Sequence, residues 1–176
     1  MKDTFPLPPL VAFKRPKTIG ELIIRAKVAP AHSRPKRSNA GMFKCNKPCV
    51  TCPYVKQGKV IKSTSSNHKV QLKQHFNCHT RNVIYLIQCR KCRQQYVGCT
   101  KNSLSDRFGD HRGYVNNHHI DKATGAHFNL PGHSISDMTI TIIEKVRRLD
   151  RNYLEERESM HIRNFRAKHC GINRRK

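Results

Sequence analysis

The sequence contains a long interval without acidic residues. Between Glu21 and Asp106 there is no Asp or Glu, although 17 of the 35 Lys and Arg residues of the chain fall in that interval. A carboxylate that binds a metal ion must therefore come from a small set of residues, most of them in the C-terminal half. The formal net charge of the 176-residue chain is +24. Because such a charge is self-repelling unless polyanions neutralise it, nucleic acid is the expected binding partner.

Long apolar segments are also absent. No run is long enough to cross a bilayer, so we expect no membrane association. The opening residues, Met-Lys-Asp-Thr-Phe-Pro, contain no apolar segment of signal-peptide type, and we expect an intracellular location. In an intracellular chain, eight cysteines favour metal binding over disulfides, which disfavours a secreted disulfide-rich protein.

Composition divides the chain into three predicted parts. Residues 1–40 are a basic, proline-rich linker in which the capping box Thr18-Ile-Gly-Glu21 predicts one short helix. Residues 41–80 are a Cys-rich segment that includes a polar insert rich in Ser and Lys. Residues 81–176 contain the periodic apolar segments and are the predicted main domain.

Four cysteines of the second part have the spacing of metal ligands. They are Cys45, Cys49, Cys52 and, after the polar insert, Cys78. Three closely spaced thiolates with a fourth at a distance suit tetrahedral zinc, and the metal would replace the core that this segment lacks. His75 and His79 are alternatives to Cys78 as the fourth ligand.

The last part is predicted to be a small α+β fold. Val83–Ile87 and Tyr96–Gly98 are β-branched and aromatic runs that predict a hairpin, and Thr139–Ile143 predicts a third strand. Apolar periodicity predicts helices at Leu104–Asn117 and Asn152–Arg166. The residues between the first helix and the third strand are expected to form a long loop. The expected architecture is a small three-stranded antiparallel sheet flanked by helices.

The residue types that phosphodiester hydrolysis needs, a base, a cation and a metal ligand, recur in this part. Tyr85 and Tyr96 lie one on each strand of the hairpin. Arg107 and His111 are about one turn apart on the first helix. Glu158 lies on the apolar stripe of the second helix, where a carboxylate is costly unless it is paired or binds a cation. Glu158 is therefore either a divalent-metal ligand or part of a structural salt bridge, for example with Arg107.

The same residues resemble the motifs of the GIY-YIG nucleases. Val83-Ile84-Tyr85 and Tyr96-Val97-Gly98 are similar to the two signature motifs, with Val83 in place of glycine at a position that is commonly varied in the family. The other motif residues follow in the family's order and are Arg107, His111, Glu158 and Asn173. The resemblance implies a GIY-YIG-like fold and a metal-dependent DNA endonuclease.

The chain is similar in particular to the endonuclease domain of Penelope-like retroelements. Three features carry this resemblance: Cys89-Arg-Lys-Cys92 between the tyrosine motifs, the loop Ala126–Ser134, and an upstream segment with Phe13–Lys17 and three cysteines. The resemblance implies an internal Cys2His2 zinc site, whose ligands are Cys89, Cys92, His127 and His133. His118 and His119 are alternative ligands. With the N-terminal cysteines, two structural zinc ions are expected.

The resemblance implies that three side chains bind or position the metal ion, the phosphate and the water. Glu158 is expected to bind one Mg²⁺ or Mn²⁺, which contacts the scissile phosphate and the leaving 3′ oxygen. Arg107 neutralises the phosphate, and Tyr96 positions water or phosphate. Tyr85 is the predicted general base, with a pKa lowered by nearby cations, whereas His111 is the rival base or a proton relay.

Three further residues are assigned no chemical role. Asn173, near the end of the chain, is expected to shape the site. Cys99 and Cys170 lie outside both predicted zinc sets and are expected to be small buried or free thiols.

The predicted function is that of a nicking DNA endonuclease, which would expose a 3′ end for target-primed reverse transcription in the nucleus. DNA is the expected substrate, and element RNA and the reverse transcriptase domain of the same polyprotein are further partners. The chain is too short to contain that polymerase as well. The alternative is a non-catalytic, zinc-stabilised module that binds DNA or RNA.

Overall fold

The computed structural model describes residues 39–148 and 150–174, together with Phe13, Lys14, Pro16 and Ile19. All of the elements below belong to the unit Ser38–Lys176 into which the chain divides by its internal contacts. Most of the predicted linker 1–40 lies outside the described residues, as does all but Ile19 of the short helix predicted from the capping box Thr18–Glu21.

Four short strands form two small sheets in the first described segment. They are β1 (Gly41–Met42), β2 (Val60–Lys62), β3 (Lys69–Gln71) and β4 (His75–Phe76). β1 pairs with β4 in parallel, whereas β2 and β3 form an antiparallel pair. A 3-10 helix at Cys52–Tyr54 lies between β1 and β2.

This segment contributes to the hydrophobic core, contrary to the expectation that it lacks one. Met42, Ile61 and Phe76 are almost completely buried and belong to the same apolar cluster as the central sheet. Val55 forms a bridge to Ile140 of that sheet. In the sequence these apolar residues occur singly or in short pairs such as Met42-Phe43 and Val60-Ile61, so their burial arises from long-range packing and not from a periodic local pattern.

A three-stranded antiparallel sheet is the centre of the fold, as predicted. Its strands are β5 (Arg81–Cys89), β6 (Gln95–Ser103) and β7 (Met138–Lys145), in the order β6-β5-β7. The central strand β5 is buried from Val83 to Cys89, in agreement with its continuous apolar run. The register sets Tyr85 opposite Gly98 and Ile87 opposite Tyr96.

Three helices accompany the sheet: α1 (Leu104–Asn116), α2 (Ala123–Phe128) and α3 (Arg151–Asn164). Side chains cap two of them, since Ser103 accepts from the N–H of Asp106 and Asp150 accepts from the N–H of Asn152. Helix α2 was not predicted, because its six residues are too few to show a helical period. No helix among the described residues is long and apolar enough to span a membrane.

Candidate active site

Tyr85 and Tyr96 share one face of the hairpin, because Gly98 lies opposite Tyr85 and is two residues from Tyr96 on the same strand. The ring centroids of Tyr85 and Tyr96 lie 6.4 Å apart. A Cβ atom placed on Gly98 would lie 2.5 Å from the Tyr85 hydroxyl oxygen and 2.8 Å from Cε1 of Tyr96. Both distances are too short for carbon, so glycine at this position allows the Tyr85 phenol to lie across the neighbouring strand.

The hydroxyl of Tyr85 is the centre of a buried polar network. Nε of Arg107 donates to this oxygen at 3.0 Å, and Nε2 of His111 lies 2.7 Å from it. Nδ1 of His111 lies 2.8 Å from the hydroxyl oxygen of Thr124 on helix α2. Tyr85 and His111 are almost completely buried, so these contacts fix the position of the phenol.

Burial dominates the acid–base properties of this network. It raises the pKa of Tyr85 well above the ordinary value of a phenol, and the opposing effect of Arg107 is smaller. The protein's own cations therefore do not lower this pKa below the ordinary value, contrary to the expectation from the sequence. Burial, and secondarily Arg107, lowers the pKa of His111 to about 3. At neutral pH the phenol is protonated and the imidazole is neutral.

The guanidinium of Arg107 is only partly shielded from solvent. Its Nη1 donates to Oδ2 of Asp110 at 3.1 Å, and the side chain is 28% exposed. Arg107 does not form the salt bridge with Glu158 that was considered from the sequence. A partly exposed cation whose position is fixed by a buried phenol is suited to binding a phosphate oxygen.

Glu158 lines a cleft of about 730 Å³ that also contains Tyr96 and Asn173. The thiol of Cys99 donates to its Oε2 at 3.2 Å. Among the described residues, no Lys, Arg or His nitrogen lies within 4.0 Å of this carboxylate. Burial raises the pKa of Glu158, and Arg107 is close enough to oppose that shift. The carboxylate is thus available to a cation from solution.

The cleft has basic and acidic lining residues. Its charged side chains besides Glu158 are Lys122, Arg163, Lys168, Arg174, Asp121 and Glu155. Asn173 shapes one wall, because its side-chain amide both accepts from the N–H and donates to the C=O of Val97, each at 2.8 Å. These two hydrogen bonds attach the C-terminal segment to β6.

The N-terminal cysteines converge as a possible metal centre. The sulfur atoms of Cys45, Cys49, Cys52 and Cys78 all lie within 4.8 Å of one another, and none of these cysteines forms a disulfide. His75 instead stacks on Phe43. Burial raises the pKa of Cys78, an effect that a bound cation would reverse. Four convergent sulfur ligands fit the tetrahedral requirement of zinc.

The second set of predicted zinc ligands also converges. The ligand atoms of Cys89, Cys92, His127 and His133 lie within 4.8 Å of one another, whereas the alternatives His118 and His119 are not part of this group. Helix α2 carries His127, whose Nε2 lies 3.5 Å from the sulfur of Cys92. Nε2 of His133 is buried and has no hydrogen-bond partner among the described residues, which a metal ion would correct. A Cys2His2 zinc site fits these residues.

Three interactions near the site were not anticipated from the sequence. Thr124 contacts His111, and Cys99 contacts Glu158. Elsewhere on α3, Arg157 donates to Glu144 at 2.8 and 3.0 Å, and His161 lies 2.7 Å from the same carboxylate. The partners in each pair are far apart in the chain, so no local pattern indicates them.

Comparisons with known proteins give one structural match. No protein-family model matches the chain, and no curated protein matches it. Among solved structures, the catalytic domain of the homing endonuclease I-TevI matches with a TM-score of 0.46 and 22% sequence identity. The match covers 53% of this chain and 98% of that chain.

Proposed function

We propose that this chain is a metal-dependent DNA endonuclease of the GIY-YIG type, which nicks DNA by hydrolysing a phosphodiester bond. The observation that carries the proposal is the carboxylate of Glu158, which has no cationic partner among the described residues and lies in a cleft with Tyr96. The Tyr85–His111–Arg107 network supports it, because Arg107 is close enough to affect the pKa of Glu158.

Glu158 is the expected ligand of one Mg²⁺ or Mn²⁺ ion. Hard divalent cations of this kind use one or two carboxylates and complete their coordination with water and substrate phosphate oxygens. The thiol of Cys99 donates a hydrogen bond to Oε2 of Glu158. The other carboxylate oxygen, Oε1, would therefore be available to the ion. When bound, the ion supplies Lewis-acid activation of the phosphate and stabilises the leaving oxygen.

The protein's own residues hold the phosphate and the attacking water. Arg107 can only donate hydrogen bonds, so the Tyr85 oxygen uses one lone pair to accept from it. The phenol can donate its own proton to the neutral His111, which in turn donates from Nδ1 to Thr124. Tyr96, which is partly exposed and lines the cleft, is the residue that would position the attacking water. A phosphate bound beside Arg107 would raise the pKa of both Tyr85 and His111, because it offsets the positive charge that lowers both.

The test is nicking of supercoiled plasmid in the presence and absence of Mg²⁺ or Mn²⁺. The wild type is expected to nick only with a divalent ion, and Glu158→Gln is expected to lose roughly a hundredfold or more of the rate. Glu156→Gln is the matched control, since Glu156 lies on the same helix and is exposed. A wild type that binds DNA but never nicks, or a Glu158→Gln variant as active as the control, would contradict the proposal.

A non-catalytic DNA- or RNA-binding module is the second candidate. The observation that favours it is the raised pKa of Tyr85, because a buried protonated phenol is a poor base. The nicking assay separates the two candidates when it is run beside a DNA-binding measurement on the same preparations. Binding without nicking in every metal would select the second candidate.

The biological setting is a further part of the proposal. The nick would expose a 3′ end for target-primed reverse transcription of a Penelope-like element in the nucleus. The reverse transcriptase domain of the same polyprotein and the element RNA would be the partners. The sequence resemblance in Cys89-Arg-Lys-Cys92 and Ala126–Ser134 supports this setting.

A further inference from the structure

A basic groove without acidic residues lies at the end of the sheet where β5 turns into β6. Two adjoining cavities of about 460 and 450 Å³ share Lys56, Gln88 and Arg93 as lining residues. Neither cavity is lined by an Asp or Glu. We define the basic groove by the four cationic side chains that line these cavities, which are Lys56, Lys62, Arg90 and Arg93.

The cations of the basic groove repel one another in the free protein. Burial and the charge of Arg93 both lower the pKa of Lys56, whose Nζ donates to a neutral partner, Oε1 of Gln88, at 2.7 Å. Lys62 lies directly opposite Lys69 in the β2–β3 pair, and like charges at such positions are destabilising. No carboxylate lines either cavity to relieve this repulsion. A bound polyanion would relieve it.

Hydrogen bonds fix the backbone of Arg93 in the turn between β5 and β6. Arg93 has a φ of 66°, a left-handed conformation that glycine or asparagine adopts at lower cost. Its carbonyl oxygen accepts from the hydroxyl of Thr64 at 3.1 Å, and its N–H donates to the carbonyl of Cys89 at 3.1 Å. The backbone therefore does not require an arginine here, and the side chain is what this residue contributes.

The geometry points to a phosphodiester backbone as the ligand: we propose that the basic groove binds the backbone of duplex DNA. This inference rests on the proposed function for its choice of DNA. No aromatic residue lines either cavity, so the groove lacks a platform on which unpaired bases could stack. Gln95, whose side chain donates to the carbonyl of Lys62, directly precedes Tyr96 in β6, so the groove lies on the face of the sheet opposite to the Tyr96 side chain. Contacts of this type add affinity without sequence preference.

The experiment measures DNA binding as a function of salt concentration. It uses a Glu158→Ala background, so that binding is measured without cleavage. The test variant is Lys56→Gln with Arg93→Gln, and its affinity for a short duplex is compared with that of the unsubstituted background. The logarithm of the affinity falls with the logarithm of the salt concentration, and each lost phosphate contact makes this slope shallower by about 0.9. The slope of the double variant should therefore be shallower by about 1.8. Retained zinc content and an unchanged thermal transition show that the variant is folded.

The charge-matched control is Lys145→Gln with Arg147→Gln, in exposed residues at the opposite end of the sheet. The control should keep the slope of the unsubstituted background. Equal slopes for the two double variants would contradict the proposal that the basic groove binds the DNA backbone. A loss as large on single-stranded DNA as on the duplex, or a larger loss on duplex RNA, would overturn the assignment to duplex DNA. If the binding result holds and the plasmid assay shows no nicking, the groove stands and the proposed function fails.

Discussion

The thiol of Cys99 donates a hydrogen bond to Oε2 of Glu158, with 3.2 Å between sulfur and oxygen. Cys99 lies on β6 and Glu158 on α3, so the contact joins the helix to the sheet at the wall of the cleft. Because one carboxylate oxygen is held, the orientation of the whole carboxylate is restricted. Cys99 is therefore a positioning residue for the proposed metal ligand.

Removal of this hydrogen bond is expected to weaken metal binding more than it slows the chemical step. In Cys99→Ala, the Mg²⁺ concentration for half-maximal nicking should rise by about tenfold or more, as for other groups that orient metal ligands. Cys99→Ser retains a donor and should remain close to the wild type. The exposed Cys170, changed to Ala, serves as the control. Identical Mg²⁺ titrations for Cys99→Ala and the wild type would contradict the positioning role.

Gly98→Ala is expected to destabilise the protein by about 1–3 kcal/mol, the usual cost of overpacking a core. The new methyl would overlap the fully buried Tyr85 hydroxyl and the edge of the Tyr96 ring. The free energy of unfolding in urea measures the effect. Gly109→Ala in helix α1 is the control, because a Cβ there meets no atom within 4 Å and alanine is the better helix former. The control should be neutral or stabilising, and equal losses for both variants would contradict the packing argument.

The free energy of unfolding is expected to decrease at acid pH because His111 becomes protonated. Its folded pKa is about 3, well below the ordinary value of 6.5 in an unfolded chain, so protonation favours unfolding. The contribution of neutral His111 to the free energy of unfolding is complete above about pH 6.5. It is lost as the pH falls from there towards 3, at about 1.4 kcal/mol per pH unit. Unfolding free energies of the wild type and His111→Gln, measured between pH 7.5 and 5.5, should therefore converge as the pH falls. Parallel profiles would show that His111 does not titrate as expected.

Elemental analysis is expected to find two zinc ions per chain. Cys78→Ser should lose one ion from the N-terminal set, and Cys92→Ser should lose one from the set with His127 and His133. Cys170→Ser should retain both, since Cys170 belongs to neither group. Because both sets connect segments that are distant in the chain, chelation should also lower the unfolding temperature. A zinc content that does not change in the two ligand variants would refute the assigned ligands.

Local patterns in the sequence were sufficient for the main elements of the fold. The continuous apolar run Val83–Ile87 predicted the central strand, and the run Thr139–Ile143 predicted its neighbour β7. The helical period predicted α1 and α3 to within two residues at each end. These signals are strong because each element buries one face or both, which imposes a regular spacing of apolar residues.

The sequence by itself determined the residue types of the site and their order along the chain, because motif spacing and local periodicity are properties of neighbouring residues. Only the tertiary structure decided that Cys99 holds Glu158, that Thr124 holds His111, and that residues 41–80 contribute to the core. It also reversed the expected pKa shift of Tyr85, because desolvation depends on every element packed around the phenol. Such effects arise from groups far apart in the chain, and no local pattern records them.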